Sequence, residues 1–172
     1  MNLYDATTEV HHDAESSDFG RLIKNGELTK QQYADWLFVQ FTVHSVIDAY
    51  LPSAARRLPQ LYLDMADLSE VAHKGSESLV ELMNPLYEGE PTSVYVGGLC
   101  YVFTGAHLRG GPQNRKSLEK VGLPCRHLRF NSEDAKKADE YLKELRDMVQ
   151  FAESAKEVFK RVLNVMDEIS HG

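Results

Sequence analysis

The sequence contains only two cysteines, Cys100 and Cys125, and they form neither a CxxC pair nor a zinc-ligand spacing. A scaffold held together by several disulfides is therefore excluded. So few cysteines are typical of a reducing cytoplasm, and we expect a cytoplasmic protein. The N-terminus lacks the basic segment followed by an apolar segment that marks a signal peptide. No run of about 18 apolar residues exists, so no membrane span is expected.

Positive charge is also scarce. The chain has 19 Lys and Arg against 26 Asp and Glu, which gives a formal net charge of -7. This balance disfavours general attraction to nucleic acid, and we expect no nucleic-acid partner. The composition, 42% hydrophobic and 26% charged, is that of a folded globular protein rather than of a disordered chain.

The sequence has no convincing strand-type alternation of apolar and polar residues, and apolar residues instead recur at three- and four-residue steps. The helical pattern begins at Leu3, and Gly26 suits a left-handed cap at the end of a second helix. A third helix follows Thr29, is apolar on most sides and ends at or soon after Pro52. The sequence therefore predicts an all-α fold.

Helix boundaries in the remaining chain follow from similar signals. One helical region is predicted over about residues 60–84 with Pro85 as its stop, and residues 87–94 form a predicted turn. Ser132 is the predicted N-cap after a long loop, and the C-terminal segment is predicted to be one long helix or two helices in line. No linker or internal repeat is visible, so we predict a single-domain helical bundle over residues 1–172.

Two adjacent histidines, His11 and His12, lie on the first predicted helix. At 100° per residue, His11 lies about 80° from the core-facing direction, beside Glu15, whereas His12 points towards solvent. Neighbouring helix positions diverge too far to chelate one metal ion. His11 is therefore either a partly buried histidine bonded to a carboxylate or a single axial ligand to heme iron, with Glu15 as acceptor for its second ring nitrogen, directly or through water.

Five glycines interrupt the apolar segment "YVGGLCYVFTGAHLRGGPQ", residues 95–113. Each glycine costs a helix about 1 kcal/mol relative to alanine, so the segment must need close approach to its backbone or a kink. Tight helix packing and a flat, bulky ligand are both compatible with this pattern. A phosphate-binding loop is disfavoured, because the segment contains neither GxxxxGK[ST] nor a strand-linked GxGxxG.

Two segments resemble heme oxygenases. "LYDATTEVHHDAESSDF", residues 3–19, is similar to the first helix of that family, L-x-x-A-T-x-x-x-H-x-x-A-E-x-x-x-F, without a gap. "YVFTGAHLRGG", residues 101–111, is similar to the family's distal helix. In the bacterial register Arg109 is an inserted residue before Gly110, and in the mammalian-type register His107 replaces an aspartate. "GLPCRHLRF" and "FAESAKEVFKRVLNVMDEI" also look like the bacterial branch of the family.

The resemblance implies a heme oxygenase-like fold and a set of site residues. His11 would be the proximal ligand of the heme iron, and therefore the metal ligand. The catalytic residues implied on the distal helix are His107, Gly110 and Gly111, where His107 could order water. The other residues expected beside the heme are Thr7, Glu15, Tyr101, Ala106, Phe159 and Met166.

The activity that the resemblance implies is oxidative cleavage of heme to biliverdin, carbon monoxide and ferrous iron. Heme b would be both cofactor and substrate, O2 the oxidant, and the electrons would come from a ferredoxin or an NAD(P)H-dependent reductase. The alternative on the same fold is a non-catalytic heme-binding carrier or sensor, which His107 and Arg109 favour. Thiamine degradation and a di-iron oxidase are further possibilities for a helical bundle, but they require an activated cysteine or several facing carboxylates.

The remaining charged and histidine residues give weaker expectations. Candidate partners for the heme propionates lie in the loop and in the helix after it, namely Arg126, Arg129, Lys136 and Lys137. The other histidines have no spacing that suggests a metal site and are expected to be core, surface or terminal residues: His44, His73, His127 and His171.

Overall fold

The computed structural model describes residues 1–88 and 93–172. These residues form nine α-helices and no strand, which confirms the predicted all-α class. In chain order the helices are α1 (Leu3–Ser16), α2 (Asp18–Asn25), α3 (Lys30–Ile47), α4 (Leu58–Ala66), α5 (Glu77–Met83), α6 (Ser93–Gly105), α7 (Gly111–Lys120), α8 (Ser132–Arg146) and α9 (Ala152–His171). In this part of the chain, no helix is long and apolar enough to cross a membrane.

Local capping signals determine where several helices begin and end. Gly26 adopts a φ of 68° and its amide donates to the carbonyls of Leu22 and Ile23, as the left-handed cap requires. Thr29 and Gln32 form a reciprocal capping box at the start of α3. At α8 the predicted cap was one residue too late: Asn131 accepts the hydrogen bond from the amide of Asp134, and Ser132 is the first helical residue.

Helix α3 is shorter than predicted. It ends at Ile47, and a 3-10 turn over Asp48–Tyr50 follows it, so Pro52 lies beyond the helix. The Asp48 carboxylate accepts hydrogen bonds from the amides of Arg57 and Leu58, at 3.3 and 2.9 Å. These hydrogen bonds join residues nine and ten positions apart and turn the chain towards α4. The sequence around Pro52 does not reveal such contacts.

The predicted helical region over residues 60–84 is two helices rather than one. Side chains of α3 form hydrogen bonds with backbone groups of the segment between α4 and α5. Asp35 accepts a hydrogen bond from the Lys74 amide at 2.7 Å, and Gln31 donates to the Ala72 carbonyl at 2.8 Å. These contacts replace bonds that a continuous helix would make within itself. The centre of the turn predicted over residues 87–94 is residues 89–92, which lie outside the described residues.

The C-terminal segment also forms two helices, α8 and α9, separated by a short 3-10 turn over Val149–Phe151. Helix α9 packs against α1, α5 and α6, and α6 is buried on most sides between α3, α8 and α9. A methyl group on Gly97 would lie 2.7 Å from the Phe151 ring, and one on Gly98 would lie 2.7 Å from Ser154 Oγ. Two of the five glycines therefore serve tight helix packing.

Candidate functional site

A cavity of about 710 Å³ lies between α1, α2, α3, α6, α7, α8 and α9. Its size is in the usual range of small-molecule and cofactor sites. Among the residues that line it are nine of the ten predicted site residues: Thr7, His11, Glu15, Tyr101, Ala106, His107, Gly110, Phe159 and Met166. The exception is Gly111, which is buried, and a methyl group there would face Leu128 Cδ2 at 3.6 Å. The structure therefore places Gly111 in the packing behind the cavity wall rather than on it.

Helix α1 presents His11 to the cavity and leaves His12 on the exposed surface, as the helix geometry predicted. The His11 side chain is 56% exposed, and its ring meets Phe159 edge-on with 5.9 Å between centroids. Nε2 of His11 lies 3.9 Å from Oε1 of Glu15, which is longer than a hydrogen bond. A direct hydrogen bond between His11 and Glu15 is therefore absent in this conformation, and His11 has a ring nitrogen available for a ligand.

Two side chains with hydroxyl groups, Thr7 and Tyr101, line the same cavity as His11. The Thr7 hydroxyl is buried and donates to the Leu3 carbonyl at 2.7 Å. Tyr101 is half-buried, and burial raises the pKa of its hydroxyl, so Tyr101 is a neutral hydrogen-bonding group at pH 7.

Between α6 and α7 the helix widens into one π-helical turn over Ala106–Gly110. A π turn holds one residue more than an α turn, so it absorbs an inserted residue such as Arg109. A methyl group on Gly105 would have Leu142 as its nearest neighbour at 3.9 Å, and one on Gly110 would have Asn114 at 4.0 Å. Both glycines line the cavity, so a ligand can approach the backbone closely there.

The cations that line the cavity are not those predicted from the loop. Arg126 pairs with Asp64 and Asp67, Arg129 with Glu119 and Lys137 with Glu133; Lys136 is exposed, and none of these four cations lines the cavity. The cavity instead receives Lys24 from α2, Arg109 from the π turn, and Lys143 and Arg146 from α8. The Asp139 carboxylate bonds Arg109 at 2.6 Å and Lys143 at 2.9 Å, which positions both cations.

Three buried histidines meet beside the cavity, and two of them, His107 and His127, line it. The sequence did not predict this cluster. Nδ1 of His44 lies 2.7 Å from Oδ1 of Asp48, and Nε2 of His44 lies 2.9 Å from Nε2 of His107. The ring of His127 stands perpendicular to that of His107 with 5.5 Å between centroids, and its Nδ1 lies 2.7 Å from Oδ2 of Asp64. His44 and His127, which the sequence predicted to be core, surface or terminal histidines, are thus core residues beside His107, and each is held by a hydrogen bond to a carboxylate.

Burial and local charge determine the protonation of this cluster. Burial, together with His44, His127 and Arg57, holds the pKa of His107 well below its ordinary value, so His107 is neutral at pH 7. Burial also lowers the pKa of His127, although the Asp64 carboxylate opposes the shift. Burial alone would raise the pKa of Asp64, but hydrogen bonds from His127 and from backbone amides outweigh it and lower that pKa.

The structure also addresses the two other kinds of chemistry considered for a helical bundle. Cys100 and Cys125 are both buried; burial raises the pKa of Cys100 to about 11 and also raises that of Cys125. Neither thiol is a thiolate at pH 7, as a nucleophilic cysteine would have to be. Within residues 1–88 and 93–172, no three His, Cys, Asp or Glu side chains are grouped as ligands for a metal ion.

Two solved structures resemble the chain over nearly its whole length. The heme oxygenase from Leptospira interrogans has 20% sequence identity and a TM-score of 0.79, with 98% of this chain and 100% of that chain covered. Heme oxygenase-1 from the cyanobacterium Synechocystis, solved in complex with heme, has 16% identity and a TM-score of 0.80, with 96% and 89% covered. No protein-family model and no curated protein matches the sequence. The chain therefore has the all-α heme oxygenase fold, which confirms the predicted fold class.

Proposed function

We propose that this protein is a heme oxygenase, which binds heme b in the cavity and cleaves it to biliverdin, carbon monoxide and ferrous iron. The observation that carries the proposal is that His11 on α1 and the open glycine backbone of the π turn line the same cavity. The fold supports it, and so does the heme found in the Synechocystis structure. O2 is the oxidant, and a ferredoxin or an NAD(P)H-dependent reductase supplies the electrons.

The residues of the cavity fit heme in their chemistry. His11 offers an imidazole nitrogen as an iron ligand. Phe159, Val162 and Met166 of α9 supply apolar contacts for a flat porphyrin. Lys143 and Arg146 line the same cavity from α8, and we assign them the pairing with the heme propionates. When it is bound, heme supplies the iron at which O2 is reduced.

The protein's own contribution lies in what surrounds the ligand. Gly105 and Gly110 carry no side chain, and the space this leaves at the cavity wall would admit a flat ligand that larger residues would block. The apolar side chains of α9 that line the cavity would keep water from the ligand surface they cover, which strengthens hydrogen bonds made there. His107 is the neutral polar group of the π turn, and we assign it the ordering of water and the exchange of protons with the cavity.

The test is a heme titration of the wild type, His11→Ala and His12→Ala, followed by optical spectroscopy. Loss of the histidine–iron bond only in His11→Ala is expected, and His12→Ala is the matched control because it sits one residue away on the exposed side of α1. Ascorbate or a reductase is then added in air, and the products are followed by biliverdin absorbance and carbon monoxide release. Heme that binds but stays intact would overturn the proposal in favour of a carrier or sensor.

A further inference from the structure

A line of buried hydrogen bonds reaches the cavity through His107, and heme cleavage by itself assigns no role to the other two members, His44 and Asp48. The His44 side chain is fully buried, and that of Asp48 is 13% exposed. Three titratable groups in series, with one end on the cavity wall, form an arrangement that can hold a proton and release it.

The carboxylate determines which His44 nitrogen carries hydrogen. Asp48 accepts from the amides of Arg57 and Leu58 at the N-terminus of α4, where the helix dipole also favours negative charge. Burial alone would raise the pKa of Asp48, but the bonds from His44 and from these amides outweigh it and lower that pKa. Because an ionised carboxylate only accepts, Nδ1 of His44 is the donor to Asp48 whether His44 is neutral or an imidazolium.

The two Nε2 atoms, 2.9 Å apart, can share only one proton. If His107 carries it, His44 is neutral and Nδ1 of His107 is a bare acceptor. If His44 carries it, His44 is an imidazolium beside Asp48, and a neutral His107 then has its hydrogen on Nδ1. Within the described residues no side chain or carbonyl bonds Nδ1 of His107, so this nitrogen is available to a molecule in the cavity.

We propose that Asp48, His44 and His107 form a one-proton store for the ligand cavity, with His107 as the group that exchanges the proton and His44 and Asp48 as positioning residues. In loading, a proton from cavity water binds Nδ1 of His107 while the Nε2 proton of His107 crosses to Nε2 of His44. In release, Nδ1 gives its proton to water or an oxygen atom of the bound ligand, and the His44 proton returns to His107. One proton enters and one leaves, and no electrons move.

The surrounding charges favour His44 over His107 as the site of the positive charge. The Arg57 guanidinium lies near His107, where it is buried and bonds the carbonyls of Ala54, Arg56 and Arg129. His127, bonded to Asp64, faces His107 from the other side. Positive charge on His107 would be repelled by the Arg57 guanidinium, whereas positive charge on His44 is paired with Asp48 at 2.7 Å.

The experiment is a pH titration of the heme-free protein labelled with ¹⁵N-histidine, read by long-range ¹H–¹⁵N correlation spectra that distinguish tautomers. We expect His107 to change from the Nε2–H to the Nδ1–H tautomer as the pH falls, at the same midpoint at which His44 becomes an imidazolium. A His107 that becomes an imidazolium itself, or that keeps one tautomer while His44 titrates, would overturn the proposal. Because this readout uses the wild type, it does not depend on any variant folding.

Variants add a second, independent measurement. Asp48→Asn removes the charge that pairs with His44, and we expect the shared midpoint to move down by about 1–3 pH units. The matched control is Asp167→Asn, which removes the carboxylate of an exposed Asp–His pair, Asp167–His171, neither member of which lines the cavity. This control should alter the His171 titration and leave the His44–His107 midpoint in place. An unchanged midpoint in a folded Asp48→Asn would contradict the store.

The proposed use of the stored proton rests on the proposed function, but different results would overturn the proton store and the heme oxygenase proposal. If the wild type leaves heme intact, the heme oxygenase proposal fails while the coupled tautomer change remains observable without heme. If heme is degraded and His107 keeps a single tautomer at all pH values, only the proton store fails.

Discussion

Replacing Asp48 by alanine tests the hydrogen bonds that hold α3, α4 and the cavity wall together. The carboxylate caps α4 through the Arg57 and Leu58 amides and accepts from buried His44. Loss of the cap costs about 1 kcal/mol. Leaving the buried His44 donor without an acceptor costs about 1–3 kcal/mol. We therefore expect the free energy of unfolding at pH 7 to fall by about 2–4 kcal/mol, which corresponds to roughly 5–15 °C in Tm for a chain of this length.

The assay is urea unfolding of the wild type and Asp48→Ala at several pH values, with Asp13→Ala, an exposed carboxylate on α1, as the control. The pKa of Asp48 is lowered in the folded protein, so its stabilisation is fully present above the unfolded pKa of about 3.9 and is lost as the pH falls through the folded value. The difference in the free energy of unfolding between the wild type and Asp48→Ala should therefore become smaller below about pH 4. A difference under about 0.5 kcal/mol at pH 7, no larger than an ordinary surface substitution, would refute the reasoning.

Three further predictions concern the cavity and the thiols. Gly110→Leu should weaken heme binding at least about tenfold in an optical titration, because the leucine side chain would occupy space at the cavity wall. The free energy of unfolding should change by only about 1 kcal/mol or less. An unchanged heme affinity would show that Gly110 is not part of the site. Arg146→Ala should weaken heme binding by roughly threefold to tenfold at low salt, whereas Lys137→Ala, whose partner Glu133 lies away from the cavity, should not; equal effects would contradict the assignment. Cys100 and Cys125 should resist iodoacetamide at pH 7 until the protein is unfolded, as measured by mass spectrometry, because both are buried and the pKa of each is raised; rapid labelling of the native protein would disagree with their burial.

Helix geometry alone separated His11 from His12, because adjacent residues on an α-helix differ by 100° whatever the tertiary contacts. The Gly26 cap and the Thr29 capping box were predictable for the same reason, since each involves atoms only a few residues apart. The predicted helix over residues 60–84 failed because Asp35 and Gln31, on α3, bind the backbone that would have continued it.

The five glycines of residues 95–113 show what their number predicts and what it does not. Their density predicted close approach to the backbone, but only the structure divides them: Gly97 and Gly98 touch Phe151 and Ser154, whereas Gly110 borders the cavity. The cost of a helical glycine is a local property, while the neighbour that needs the missing side chain belongs to another element.

The sequence by itself determined the all-α class, the Gly26 cap that ends α2, and His11 as the histidine on the cavity side of α1, because helical periodicity and capping act over a few residues. Only the tertiary structure decided which cations line the cavity and that His44, His107 and His127 meet there. Those three histidines come from positions 63 and 20 residues apart (107 minus 44, and 127 minus 107). No local spacing encodes their contact, because it exists only once α3, the π turn and the loop before α8 are packed together.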